Sequence, residues 1–249
     1  MNGIGGLILM AVLASHGAVL VAAAMLRLPE RIRRAVVPSA VAFAAGTMLG
    51  AVFLGMLPHA LEGRSPHDIL PWTLGGILGF FVLERLLLWR HCHDDQCTFH
   101  KQTAELILIG DGLHNLIDGI VLAIAWTTSP TLGMATAIAI VAHEVPQEIG
   151  DFAILVDAGW SVRRAFIWNQ ISAATTLLGA LGGWWLMSFL TPALPPMMAI
   201  AAAGFLYVAV ADILPGLHQR GRGLTGWLQI PLILAGIGTI AVCDGHAGH

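Results

Sequence analysis

Charge is what this 249-residue chain lacks: 11% of its residues are Asp, Glu, Lys or Arg, against about 25% in an ordinary soluble domain. With 57% hydrophobic residues and a mean hydropathy of +0.78, the chain excludes a water-solvated globule and points to a bilayer. A net charge of -3, with Arg residues scattered in short groups, provides no basic field and excludes nucleic acid as a partner. Cysteine is scarce too. Cys92 and Cys97 share one polar loop and Cys243 stands alone, which excludes a disulfide framework.

Long apolar runs are what the chain has instead. A spanning helix needs about 20 mostly apolar residues to cross roughly 30 Å of hydrocarbon. Eight stretches qualify: approximately 4–26, 35–57, 69–89, 104–126, 133–156, 165–190, 196–215 and 224–243. The first lacks basic residues ahead of its apolar core and exceeds a signal peptide's apolar region, so it is expected to remain as a helix. The expectation is an all-α polytopic membrane protein, one transmembrane domain over 1–249, with no separate soluble domain. If odd-numbered spans run inward, Arg27, Arg31, Arg33, Arg34, Arg85, Arg90, Lys101, Arg163, Arg164, Arg220 and Arg222 lie on the cytoplasmic side and only Arg64 outside. This positive-inside bias predicts both termini outside the cytoplasm and a cytoplasmic loop over about 91–103.

Polar residues then concentrate where the surroundings are apolar. In GDGLHNLIDGIVLAIAW, residues Asp111, His114, Asn115 and Asp118 fall within an arc of about 100° on a helix. In HEVPQEIGD, residues His143, Glu144, Gln147, Glu148 and Asp151 fall within about 140°. Facing lipid, the five carboxylates of these two stretches would cost something over about 12 kcal/mol. No Lys or Arg occurs between Lys101 and Arg163 to neutralise them. Protonation, a water-filled cavity or a bound cation must do so, and the imidazoles of His114 and His143 favour the cation. Imidazole with carboxylate and amide oxygens suits zinc, manganese or ferrous iron, whereas magnesium and calcium sites are nearly all oxygen. Pro146 cannot donate to the carbonyl of Ala142, so a kink freeing that carbonyl is predicted within the cluster.

Isolated polar residues have a plainer reading: Ser39, Thr47, Asn169, Gln170 and Ser172 are expected to make helix-to-helix hydrogen bonds. An enzyme is the alternative function, an intramembrane zinc metalloenzyme built on HEVPQ, which resembles the start of HExxH. That motif needs a second His where this chain has Gln147, on a helix that Pro146 would interrupt.

Together HNLIDG at 114–119 and HEVPQEIGDFAIL at 143–155 resemble the signatures HNxxDG and HExPHExGD of the ZIP (Zrt/Irt-like) metal transporters. GTMLGAVFLGMLPHALEG at 46–63, GFFVLERLL at 79–87 and AAGFLYVAVADILPGL at 202–217 are similar to that family's second, third and seventh helices. The resemblance implies a ZIP-like bundle in the cell membrane that imports zinc, with iron, manganese or cadmium as related substrates, and no cofactor. It implies elevator-like alternating access and a homodimer. By family position, His114 and His143, with Met48, line one metal site; Asn115, Asp118 and Glu144 line the adjoining one; and position 147 serves both. Gln147 brings a neutral oxygen where relatives carry His or Glu, and Gly216 stands where the family pattern usually has Glu. Glu148 and Asp151 are expected to extend the polar path toward the cytoplasm, and Asp111 either to join them or to cap a neighbouring helix.

Three further groups are candidates for gathering metal: HCHDDQCTFH at 91–100; the outer His59, Glu62, His67 and Asp68; and the tail CDGHAGH. If the 91–100 segment were a metal sensor, the chain would be a receptor rather than a carrier. If it only delivers or regulates metal, exchanging Cys92, Cys97 and the loop histidines for Ser should alter the concentration dependence of zinc uptake into liposomes. Uptake itself should persist, and its complete loss would place the conducting path in the loop.

Overall fold

A computed structural model describes residues 3–89, 99–187, 189, 191–220 and 224–245, and among these the secondary structure is entirely helical. The helices form eight rods. The first joins α1 (Ile4–Ala14) to α2 (His16–Met25) at Ser15, whose hydroxyl donates to the carbonyl of Ala11 at 2.8 Å. The second contains α3 (Glu30–Gly50), a π-helical turn (Ala51–Met56) and α4 (Leu57–Leu61). Single helices make the next four: α5 (Pro66–Trp89), α6 (Phe99–Thr128), α7 (Pro130–Asp157) and α8 (Val162–Met187). After a 3₁₀ turn (Thr191–Ala193), the seventh rod runs through α9 (Leu194–Tyr207), a second π-helical segment (Val208–Ile213) and α10 (Leu214–Arg220). The last is α11 (Leu224–Gly245).

Each predicted stretch has a matching rod. Among the described residues, four segments, Ile4–Met25, Glu30–Leu61, Leu108–Thr128 and Leu194–His218, are long and apolar enough on their own to cross a membrane. The predicted loop over about 91–103 is shorter than expected, because α6 begins at Phe99; residues 90–98, with Cys92 and Cys97, lie outside the described residues. The outer surface is apolar: Trp227 is 73% exposed and Leu178 64%, whereas Asp118, His143, Glu144 and Glu148 are buried. That is the inverse of a water-soluble protein and the arrangement that a hydrocarbon solvent demands.

Local chemistry sets the ends of α7. Ser129 caps its start by accepting from the Leu132 amide at 3.0 Å, and Pro130 occupies the first turn, where its missing N–H costs nothing. At its other end Gly159 adopts φ 87°, and the amides of Gly159 and Trp160 return to the carbonyls of Val156 and Leu155. Pro146 does not end the helix, for α7 continues from Pro130 to Asp157 with the proline inside it. On either side of the proline Val145 and Ile149 are buried in one apolar cluster with Ala18 and Ala22 of α2, and Val37 of α3 packs against that cluster.

Glycine brings two pairs of rods into backbone contact. A Cβ on Gly119 would lie 2.0 Å from the carbonyl oxygen of Thr176, and one on Gly179 would lie 2.1 Å from that of Leu116, so α6 and α8 touch along their main chains. Gly46 and Gly236 do the same for α3 and α11, meeting the carbonyls of Ile233 and Phe43. Small residues allow this where no hydrophobic force separates helix from lipid. Gly119→Ala or Gly179→Ala should therefore lower stability by about 1–3 kcal/mol or more. The check is thermal unfolding in detergent, with Gly182→Ala, whose Cβ would meet open space, remaining as stable as the parent.

Candidate metal centre

The close α6–α8 contact holds α6 so that its polar face meets that of α7. His114 and Asp118 come from α6 and His143 and Glu144 from α7, and their ligand atoms all lie within 4.8 Å of one another. His114 Nε2 is 3.1 Å from His143 Nε2, 3.6 Å from Glu144 Oε1 and 3.8 Å from Asp118 Oδ2. His143 Nε2 is 3.0 Å from Asp118 Oδ2 and 3.7 Å from Glu144 Oε1. A tetrahedral zinc with bonds of about 2.0–2.1 Å separates its ligand atoms by about 3.3–3.4 Å, in the middle of this range. The four atoms can therefore surround one ion with small adjustments.

The proton on His143 is placed by its partner. Its Nδ1 donates to the carbonyl of Ala139 at 2.9 Å, so in the neutral ring Nε2 presents a lone pair to the Asp118 carboxylate and to His114. Two electron-rich atoms face one another across about 3 Å, and only a cation or a proton between them makes the contact favourable. The ring is held edge-on against Phe205 of α9, with centroids 5.7 Å apart. Asp118, His143 and Glu144 are sealed, whereas the His114 side chain is 23% exposed. A cavity of about 160 Å³ between α5, α6 and α9 reaches His114 and Asp118 and provides a side of approach.

Neighbouring amides organise the acids. Asn115 is fully buried; its Nδ2 donates to Asp111 Oδ1 at 3.0 Å, and its Oδ1 accepts from the Thr176 hydroxyl at 2.7 Å. Its oxygen thus has a partner on α8, and a metal would use the remaining lone pair. Gln147 donates from Nε2 to Asp111 Oδ1 at 3.2 Å, which places this side chain beside both polar faces. Asp111, absent from the family-derived ligand set, proves central: with Glu144 and Glu148 it forms a second group of buried carboxylates within 4.8 Å. The signal was already present in the sequence, since Asp111 lies seven positions before Asp118 on the same helical face. Met48 is fully buried in the main apolar core, and Asp151 is half-buried beyond the two groups.

The isolated polar residues divide. Ser172 donates to the carbonyl of Leu108 at 3.3 Å, and Gln170 is hydrogen-bonded to His16, so these two join helices as expected. Thr47 turns back on its own helix and donates to Ala44. Asn169, fully buried, has no hydrogen bond at either amide atom. His59 is occupied by the carbonyl of Gly55, and among the described residues the metal-capable groups are the two on α6 and α7. The side chain of Asp212 and the tail beyond Gly245 lie outside the described residues.

A family model described as ZIP zinc transporter matches residues 89–244. The chain belongs to the ZIP family. Among similar proteins, zinc transporter ZIP10 of Mus musculus is 40% identical over 119 residues, covering 47% of this chain and 14% of that protein. Zinc transporter YKE4 of Saccharomyces cerevisiae is 28% identical over 243 residues, covering 83% of this chain and 70% of that protein. Zinc transporter ZIP13 of Pongo abelii is 30% identical over 216 residues, 78% of this chain and 63% of that protein. This ZIP-family chain thus corresponds to a small part of the ZIP10 length and to most of YKE4. These relatives are named as transporters, not enzymes, and the metalloenzyme alternative is not favoured. Continuity of α7 through Pro146 removes one objection to an HExxH-like site, but position 147 is still Gln and supplies no second imidazole.

Gln147→Glu should exchange an amide donor for a carboxylate beside Asp111. Zinc affinity is expected to rise about tenfold, while the metal-free protein unfolds at a lower temperature because the acids repel. Thermal unfolding with and without zinc reads both effects, and an unchanged zinc-dependent shift would mean that position 147 does not act on the metal.

Proposed function

We propose that this ZIP-family protein imports divalent cations into the cytoplasm, zinc foremost and iron, manganese or cadmium as related substrates, through the His114, Asp118, His143 and Glu144 cluster. The observation that carries this reading is a four-donor nitrogen and oxygen set with zinc-like spacing in a stretch of chain that has no Lys or Arg between Lys101 and Arg163. Asn115 and Gln147 orient the acids around it, Met48 borders it from the second rod, and Glu148 and Asp151 continue the path. All eight rods span the bilayer, with both termini outside and the 90–98 segment in the cytoplasm, as the Arg distribution requires. The chain forms one transport domain in the cell membrane, surrounded by lipid and paired as a homodimer.

The way the rods group supports an alternating-access reading. α1, α2, α6, α7 and α8 make one set, tightened by the α6–α8 glycine contact; α3, α4, α5, α9, α10 and α11 make another, tightened at Gly46 and Gly236. The metal cluster belongs to the first set, and Phe80, Phe205 and Tyr207 of the second line the cavity beside it. Sliding of the first set along this boundary would carry the ion between the two sides, which is elevator-like motion.

His143→Ala tests the site. The variant should fold and insert, as judged by size-exclusion chromatography, and its initial zinc uptake into liposomes should fall at least about tenfold. Wild-type uptake at equal protein density would remove this cluster from the path.

A further inference from the structure

Away from the metal cluster, a cavity of about 990 Å³ opens between the first rod, the last turns of α7 and the start of α8. Its walls are apolar. Leu20, Phe152, Val156 and Phe166 line it, and Leu20 and Val156 are 56% and 40% exposed, on the surface that meets lipid. One end of it is cationic. Arg27, just past the end of α2, and Arg163, in the first turn of α8, both line it, and the described lining includes no Asp or Glu. Among the described residues neither Arg has an acidic partner. Beside them Arg164 stacks over the Trp160 ring at 3.8 Å, a pairing of cation and indole that belongs at the boundary between hydrocarbon and water. From Arg27 back to Leu20 the chain rises roughly 10 Å, at about 1.5 Å per residue, so the groove runs from that boundary into the hydrocarbon.

An apolar groove that ends in two guanidinium groups matches a molecule with an anionic head and hydrocarbon chains. We infer that this cavity binds one anionic phospholipid, its phosphate held by Arg27 and Arg163 and an acyl chain laid along Leu20, Phe152 and Val156. Guanidinium recognises phosphate through paired N–H donors, and each basic residue at a membrane surface favours anionic over neutral lipid. A water-soluble anion would meet the two Arg but leave the apolar walls uncovered. The proposed topology places the site in the cytoplasmic leaflet, where anionic lipids concentrate; binding itself depends neither on that topology nor on transport. Every lining residue comes from the first rod and the residues just after it, from α7 or from α8, all within the set of rods that carries the metal cluster. The lipid thus sits to one side of the proposed sliding boundary and travels with that set. Ile149 and Phe152 belong to the helix of His143 and Glu144, so an occupied cavity braces the end of the helix that holds two of the metal-site residues.

The experiment is native mass spectrometry of the purified full-length protein in detergent, with phosphatidylglycerol and phosphatidylcholine added in equal amounts. Wild type should retain one phosphatidylglycerol with at least about tenfold preference over phosphatidylcholine. Arg27→Gln/Arg163→Gln should lose that preference, whereas Arg31→Gln, at an exposed Arg outside the cavity, should keep it. Ala153→Trp fills the cavity without changing its charge and should reduce retention at least about tenfold; it decides the matter should the double variant fail to fold. Equal binding of the two lipids by wild type would overturn the site, as would an unchanged preference in the double variant or undiminished retention in Ala153→Trp. Thermal unfolding of the delipidated protein separates lipid from free anion. Phosphatidylglycerol should raise the unfolding temperature and inorganic phosphate should not; an equal rise with phosphate alone would end the lipid reading.

Discussion

Carboxylates buried without a basic partner are the constraint on which the rest of the molecule turns. Asp111, Asp118, Glu144 and Glu148 are buried in a stretch of chain that has no Lys or Arg between Lys101, at the start of α6, and Arg163. At an effective dielectric constant of about 20, two like charges 4.8 Å apart repel by roughly 3.5 kcal/mol, and the closer pairs by more. Amide donors from Asn115 and Gln147 relieve one oxygen of Asp111. The remainder requires positive charge from outside the chain. A protein whose own fold is incomplete in this way has a reason to bind a cation, and in a membrane it has a reason to move one.

Precision at the cluster comes from features that carry no charge. Gly119 and Gly179 let α6 and α8 approach until main chains touch, which fixes where His114 and Asp118 point. From α8, Thr176 then reaches Asn115, and Asn169 reaches the neighbourhood of Glu148. Ser129, Pro130 and Gly159 set the length of α7, and Ala139 fixes the tautomer of His143. Phe205 closes the far side of that ring. The boundary between the two sets of rods runs past the same cavity, which His114 and Asp118 line from one side and Phe80, Phe205 and Tyr207 from the other.

The positions of the rods, the polar faces of α6 and α7 and the pairing of His114 with His143 were legible because each depends on helical periodicity or on the cost of charge in hydrocarbon, both local properties of the chain. Less was legible where a residue could choose among partners. Asn169 reads as helix glue but finds no hydrogen bond, and Thr47 turns to its own helix. Asp111 reads as peripheral but holds Asn115 and Gln147 together. Pro146 reads as an interruption, yet α7 continues through it. The π-helical segments Ala51–Met56 and Val208–Ile213 left no mark in the hydropathy pattern, because an extra residue in a turn changes the ladder and not the composition.

By itself the sequence determined that this chain lives in a bilayer, that its polar groups gather on two consecutive helices, and that a divalent metal is the simplest counter-charge. Low charge, the spacing of apolar runs and the choice of imidazole beside carboxylate suffice for these conclusions, since each is set by composition or by a 100° step. Only the tertiary structure decided which acids come together. That choice rests on the rotation of α6 against α7, and the close glycine contacts that position α6 are with α8, about sixty residues further along the chain, where no local pattern reaches.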